Sequence, residues 1–195
     1  MTADYGLVLL AAGRGTRFGP APKLLSLLHG EPLVRHAARA ALDSGLGPVT
    51  AVIGAHGPAV RAALEGLHLS CIDNPAYGEG LSTSLQAGLA AQPQADAVLV
   101  LLADMPRIAA HHLIALAEAF SQSDPAPAAV VPIHAGRRGN PVLLNRRRLE
   151  ADLATLTGDQ GAGRLLARRT DIREVAMDAA VLQDVDTPEG LAGLA

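Results

Sequence analysis

Runs of consecutive apolar residues alternate along this chain with stretches whose apolar positions recur every three or four residues. Leu7-Val8-Leu9-Leu10 continues into Ala11-Ala12 without a polar interruption, the pattern of a strand buried on both faces. Ala97 to Leu102 (AVLVLL) repeats it, while Pro48 to Ile53 (PVTAVI) is a second β-rich run and Leu69 to Ile72 a short third strand. Ala129 to Ile133, Val142 to Leu144, Ile172 to Val175 and Val181 to Val185 read as further strands. Helical spacing fills the gaps. It runs from Glu31 to Leu42, with Pro32 in the first turn and Gly45 as C-terminal cap, and from about Pro58 to Leu64. It returns after Gly78–Ser84 as far as about Ala91, and after Asp104-Met105-Pro106 to near Phe120. Asn145 caps a helix through Leu156, a short helix holds Arg164 and Leu165, and Asp186-Thr187-Pro188-Glu189 opens the last one. Strands alternating with helices predict an α/β fold with a largely parallel central sheet covered on both faces. The Pro-punctuated segment Ser121 to Ala128 is too short to separate two units, so one domain over residues 1–195 is expected.

Ligands of such sheets bind at the carboxyl ends of the strands, which directs attention to three loops. The first strand runs into a turn holding Gly13, Gly15 and Gly19, a geometry that brings backbone N–H groups close to a phosphate. AVLVLL stops at Asp104, and VLQDV carries Asp184 and Asp186, which share a face if that strand persists. Lys23 closes the glycine loop and is the only lysine, the other fifteen basic residues being arginines. A compact ammonium on a flexible stem can follow a phosphate where a planar fork cannot. An ammonium, glycine amides and two carboxylates suit a nucleoside triphosphate with Mg²⁺ held by Asp104 and Asp186. Two plainer readings stand beside this one: Asp104 as the cap of a helix beginning at Pro106, and Lys23 as a surface charge.

Composition removes several alternatives. With 49% apolar and 18% charged residues and a net charge of −3, the chain reads as a soluble globular protein with no general attraction to nucleic acid. Four aromatic residues, Tyr5, Phe18, Tyr77 and Phe120, are too few for a base-stacking platform. Cys71 stands alone, which excludes an intramolecular disulfide and fits a reducing compartment. No basic leader and no apolar run of about 18 residues is present, so a cytoplasmic protein that does not bind membranes is expected. The histidines lack zinc spacing, His111 and His112 being adjacent and His29, His36, His56, His68 and His134 scattered. The glycine loop is not a Walker A sequence, because Lys23 follows Pro22 and precedes Leu24. Nor does it match a dinucleotide fingerprint: its spacing is G-x-G-x-x-x-G, and no acidic residue follows PVTAVIGAH.

Read together, L-A-A-G-R-G-T-R-F-G…P-K-L-L, G-E-G-L-S-T-S-L (Gly78 to Leu85), L-L-A-D-M-P (Leu101 to Pro106), G-N-P-V (Gly139 to Val142), G-D-Q-G-A (Gly158 to Ala162) and D-V-D-T-P-E (Asp184 to Glu189) resemble the MobA-like nucleotidyltransferases. The blocks are most similar to the molybdenum cofactor cytidylyltransferases, although that group often has His at the place of Asn140 and commonly Arg at that of Gly163. The resemblance implies a three-layer Rossmann-like fold and transfer of CMP from CTP to the terminal phosphate of a molybdopterin-type cofactor, with Mg²⁺ as cofactor and release of pyrophosphate. A molybdoenzyme is then a further partner. Lys23, Arg17 and Asp104 take the catalytic roles, with Asp104 and Asp186 as metal ligands. Leu10, Ala11, Ala12, Gly13, Arg14, Gly15, Lys23, Asn74, Gly80, Ser82 and Ser84 take the nucleotide. Asn140 and Asp159 take the acceptor side. Ala12 stands where guanylyltransferase relatives have glycine, which favours a pyrimidine base. Arg137, Arg138 and Arg146 to Arg148 fit either a grip on the acceptor or a solvated surface. Alternatives within the same chemistry are a sugar phosphate or methylerythritol phosphate acceptor. A noncatalytic nucleotide- or cofactor-binding chaperone is the alternative outside it.

Overall fold

The apolar run near the start of the chain becomes the central strand of the molecule. In a computed structural model that describes residues 3–19 and 21–194, it forms β1 (Tyr5–Ala11), buried from Gly6 onward. The ends of the expected 1–195 domain and Pro20 lie outside the described residues. The other strands are β2 (Leu27–Leu28), β3 (Glu31–Pro32), β4 (Val49–Ile53), β5 (Ser70–Asp73), β6 (Ala97–Leu102), β7 (Ala129–His134), β8 (Arg137–Arg138), β9 (Val142–Asn145) and β10 (Ile172–Ala176). The helices are α1 (Leu33–Asp43), α2 (Gly57–Ala63), α3 (Leu81–Ala90), α4 (Ala110–Ser121), α5 (Arg146–Ala154), α6 (Ala162–Leu166) and α7 (Pro188–Ala192).

The main sheet has the order β10-β7-β9-β6-β1-β4-β5, with β8 paired to β7. Strand β1 is parallel to both neighbours, Leu7 lying opposite Val49 on one side and Leu99 on the other. The β4–β5 and β7–β10 pairs are also parallel. Only β9 runs against its neighbours, and β8 against β7. The reason is local: the chain leaves β7 through the two-residue turn Ala135-Gly136, both with positive φ (49° and 76°). That turn type favours a hairpin and leaves no length for a crossover helix. The expected basic loop therefore carries the short strand β8.

Alternation along β1 explains why its sequence is apolar throughout. Leu7, Leu9 and Ala11 face a core shared with α1, α2 and α4. Val8, Leu10 and Ala12 face a second core under α3, α5 and α6. Three layers result, as expected. The chain builds outward from β1 to β4 and β5, then returns to place β6 on the other side. A crevice opens where the order reverses, at the carboxyl ends of β1 and β6.

Three expectations need correction. The helix expected from Glu31 begins at Leu33, because Glu31 and Pro32 pair with Leu28 and Leu27 in a small hairpin. The helix expected directly after Pro106 begins at Ala110, so Asp104 caps nothing. The strand expected over Val181 to Val185 is absent: Ala179–Leu182 form a 3₁₀ turn. Its backbone groups bond to loops instead, Asn140 N–H donating to the Val181 carbonyl and Val185 N–H to the Asp104 carbonyl, both at 2.9 Å. Val181 and Val185 instead fill two small side cores.

Candidate active site

The glycine loop is held by its one aromatic residue. Phe18 is buried with Leu28, Leu33 and Val185, which fixes the loop beside the segment bearing Asp184 and Asp186. Gly15 sits at φ 62°, a left-handed conformation that glycine adopts without steric cost. A Cβ there would lie 3.1 Å from the Lys23 Cβ, so the lysine stem passes directly against the loop backbone. Asp104 follows β6, whose extension is fixed by the Ala103 N–H bond to the Leu10 carbonyl at 3.1 Å.

These elements converge on one ionic cluster. Lys23 Nζ lies 2.6 Å from Asp104 Oδ2 and 3.3 Å from Asp186 Oδ1. Arg17 reaches the other Asp186 oxygen at 2.5 Å while remaining mostly exposed. Asp184 joins them, the three aspartates each offering an oxygen within 4.8 Å of the others. The missing strand thus does not prevent Asp184 and Asp186 from sharing a side. Asp104 Oδ1 is buried and has no hydrogen-bond partner among the described residues. An unpartnered carboxylate oxygen among hard anionic ligands fits a divalent cation such as Mg²⁺.

A cleft of about 480 Å³ opens from this cluster. Leu10, Ala11, Ala12, Gly13, Arg14, Gly15 and Lys23 line it on the β1 side, Gly80 and Ser84 opposite, with Asp104 and Asp159 also on its wall. Asn74 and Ser82 lie behind that wall. Buried Asn74 donates to Thr83 Oγ1 (2.9 Å) and Ser84 Oγ (3.0 Å) and accepts from Ala76 N–H (3.0 Å), so it shapes the loop under Ser84. Ser82, also buried, donates its N–H to the Gly158 carbonyl at 3.0 Å. Gly80, at φ 118°, packs so closely that a Cβ would come within 2.1 Å of Gly158. The 158–161 turn is thereby seated on the start of α3, which brings Asp159 to the cleft. Asn140 is not part of the lining.

His56 and Tyr77 also line the cleft and were not among the expected site residues. His56 follows β4, so the strand-end rule applied to that strand would have found it. The Arg14 guanidinium lies 5.6 Å from the centre of the Tyr77 ring, a cation–π contact across the mouth. Burial pushes the half-buried Cys71 thiol up, away from the thiolate a nucleophile needs. Asp178 joins the adjacent pair His111 and His112, a grouping the spacing of the histidines did not point to. However, Nδ1 of His112 accepts the Ala109 N–H at 3.0 Å, which leaves Nε2 carrying the proton it shares with Asp178 at 3.2 Å. That tautomer caps α4 and offers no lone pair to a metal.

The model of the MobA-like NTP transferase domain matches residues 7–174. The chain belongs to this family. Over 189 residues it is 32% identical to nicotine blue oxidoreductase of Paenarthrobacter nicotinovorans, covering 93% of this chain and 92% of that protein. Among solved structures it resembles Rv0371c of Mycobacterium tuberculosis, with a TM-score of 0.83 and 29% identity over 100% of this chain and 98% of that one. A complex of Rv0371c with manganese superposes with a TM-score of 0.79, at 28% identity over 98% and 97% of the two chains. The chemistry of MobA-like NTP transferases is nucleotidyl transfer, and the cleft lies where the glycine loop of this family member meets its carboxylates. Among the described residues no helix is long and apolar enough to cross a membrane.

Proposed function

We propose that the protein transfers CMP from CTP to the terminal phosphate of a molybdopterin-type cofactor and releases pyrophosphate. One observation carries the reading: the chain's only lysine reaches two aspartates at the foot of a cleft walled by the glycine loop. Amides of Gly13 to Gly15, with Lys23 and Arg17, bind the triphosphate and offset the charge that develops on the departing pyrophosphate. An oxygen of the acceptor phosphate attacks the α-phosphorus in line. The new P–O bond forms as the bond to the β-phosphate breaks, and its electron pair leaves with pyrophosphate. A phosphate monoester is already largely ionised near pH 7, its second pKa being about 6, so no general base is required. Asp104 and Asp186, with Asp184 beside them, would hold Mg²⁺, which supplies charge neutralisation at the transferring phosphate. The manganese complex of the mycobacterial relative supports a divalent ion in this family.

Ala12 supports CTP, since it lines the cleft at a place where glycine would let a larger purine approach. Ser84 lines the cleft, and its hydroxyl, which accepts from Asn74, can donate toward the cytosine carbonyl. Asp159 lines the same cleft and is assigned with Asn140 to the acceptor side, Asn140 acting from outside the lining.

The oxidoreductase name of the Paenarthrobacter relative raises a second reading, hydride transfer. Against it, the residues after β4 are Gly54-Ala55-His56, with no carboxylate for the ribose of a dinucleotide. The experiment measures pyrophosphate release from CTP and GTP, each with a molybdopterin-type acceptor, a sugar phosphate, methylerythritol phosphate or none, beside NADH and NADPH consumption. Pyrophosphate released fastest from CTP with the molybdopterin-type acceptor is the expected result. Faster release with another phosphorylated acceptor moves the acceptor assignment. Binding without release points to a chaperone, and reductant consumption alone overturns transfer.

A further inference from the structure

We infer that Lys23 is the resident counter-cation of the aspartate cluster, and that Lys23 and the divalent ion occupy it in alternation, so that metal loading releases the lysine to the triphosphate. The inference rests on the nucleotidyl-transfer reading of the cleft and adds an order of events to it. Lys23 Nζ is 2.6 Å from Asp104 and 3.3 Å from Asp186, and its side chain is only 12% exposed. In this arrangement the ammonium is engaged with carboxylates and is not directed to a phosphate. A divalent ion bound to the same two aspartates would stand within a few ångströms of Nζ, and two cations at that distance in a partly desolvated site repel strongly. One must leave. The lysine is the one able to do so, since its flexible four-carbon stem passes against Gly15 at the glycine loop, beside the place where a phosphate would sit. Arg17 pairs with the other Asp186 oxygen in this arrangement, and the buried Asp104 Oδ1, without a partner among the described residues, can receive the ion. Metal and triphosphate then favour each other, because each removes a competitor of the other. Such reciprocity is required of any two ligands coupled through one group.

Being the sole lysine, Lys23 gives one signal in protein labelled with ¹³C at lysine Cε, so the wild type reports on itself. Addition of Mg²⁺ without nucleotide should shift that signal, with a midpoint equal to the Kd of the ion measured by calorimetry. In parallel, Mn²⁺ binding read by electron paramagnetic resonance should be about tenfold or more tighter in Lys23→Met than in wild type, because a competing charge has been removed. A stationary lysine signal together with equal Mn²⁺ affinity in the two proteins overturns the alternation while leaving the metal site intact. Mn²⁺ binding that is undiminished in Asp104→Asn, or absent from both wild type and Lys23→Met, overturns the metal site itself and the alternation with it.

Discussion

The two ends of the central sheet handle charge in opposite ways. At the amino ends of β6, β7 and β10, arginines and aspartates are matched. Arg169 bonds Asp171 through two nitrogens, both at 2.8 Å, and Asp152 at 2.6 Å. Arg147 meets Asp96 at 3.1 Å, Arg148 donates to the Ala126 carbonyl at 2.7 Å, and Arg146 donates to the Gln92 carbonyl. These contacts tie α5 and the strand entries together, so Arg146 to Arg148 are structural and do not line the cleft. At the carboxyl ends, Asp104 and Asp186 share Lys23 and Arg17, Asp184 stands beside them, and one buried oxygen is left over. Matched charges hold a fold; an under-neutralised cluster beside an open cleft holds a place for something else.

The sharpest way to break this contrast is at Asp104. Asp104→Asn keeps the shape but loses the charge proposed to hold the metal, and turnover should fall by about 10²–10³-fold. Near-normal rates at saturating Mg²⁺ would remove Asp104 from the chemistry. Lys23→Ala should raise the triphosphate Kd and slow transfer by up to about a hundredfold. Lys23→Arg should restore only part of this, since the fork cannot make the same turn; full recovery in kcat and Kd would end the special case for lysine. A smaller effect is expected at Ala12. Ala12→Gly should erode the CTP-over-GTP ratio of kcat/KM by about tenfold, the lower range for one methyl group. An unchanged ratio would place base selection elsewhere, with His56 and Tyr77 the next residues to change.

The smallest effect belongs to the amino end. The Arg169 guanidinium holds the Asp171 carboxyl below its ordinary value of 3.8. A lowered carboxyl pKa contributes stability that is present above the unfolded value and lost as pH falls through the folded one. Arg169→Gln should therefore lower Tm by a few degrees at neutral pH with turnover unchanged, and the gap should close in acid below about pH 4. A gap that persists there would mean that Arg169 acts through packing.

Much of this contrast was legible in residues alone. The strands β1, β4 and β6 announce themselves because both faces are covered, which leaves no polar positions to blur the run. Asp104 and Lys23 follow from what lies at the end of such strands. Asp186 was found for a partly mistaken reason: Val181, Leu182 and Val185 suggest a strand, yet the partners of that segment's backbone are loops chosen by tertiary packing. Nothing in the order of residues tells that Asn74 is consumed by Ser84 and Thr83, or that Tyr77 meets Arg14. Those facts depend on three loops arriving at one place.

The most direct test compares thermal melts of three metal-free proteins at neutral pH: wild type, Asp104→Asn and Arg169→Gln. If the cleft holds surplus negative charge, removing one carboxylate there relieves repulsion and desolvation. Asp104→Asn should then melt at or above the wild-type temperature, while Arg169→Gln melts below it. A drop in Asp104→Asn larger than that in Arg169→Gln would contradict the claim, and would make the Lys23–Asp104 pair a support of the fold.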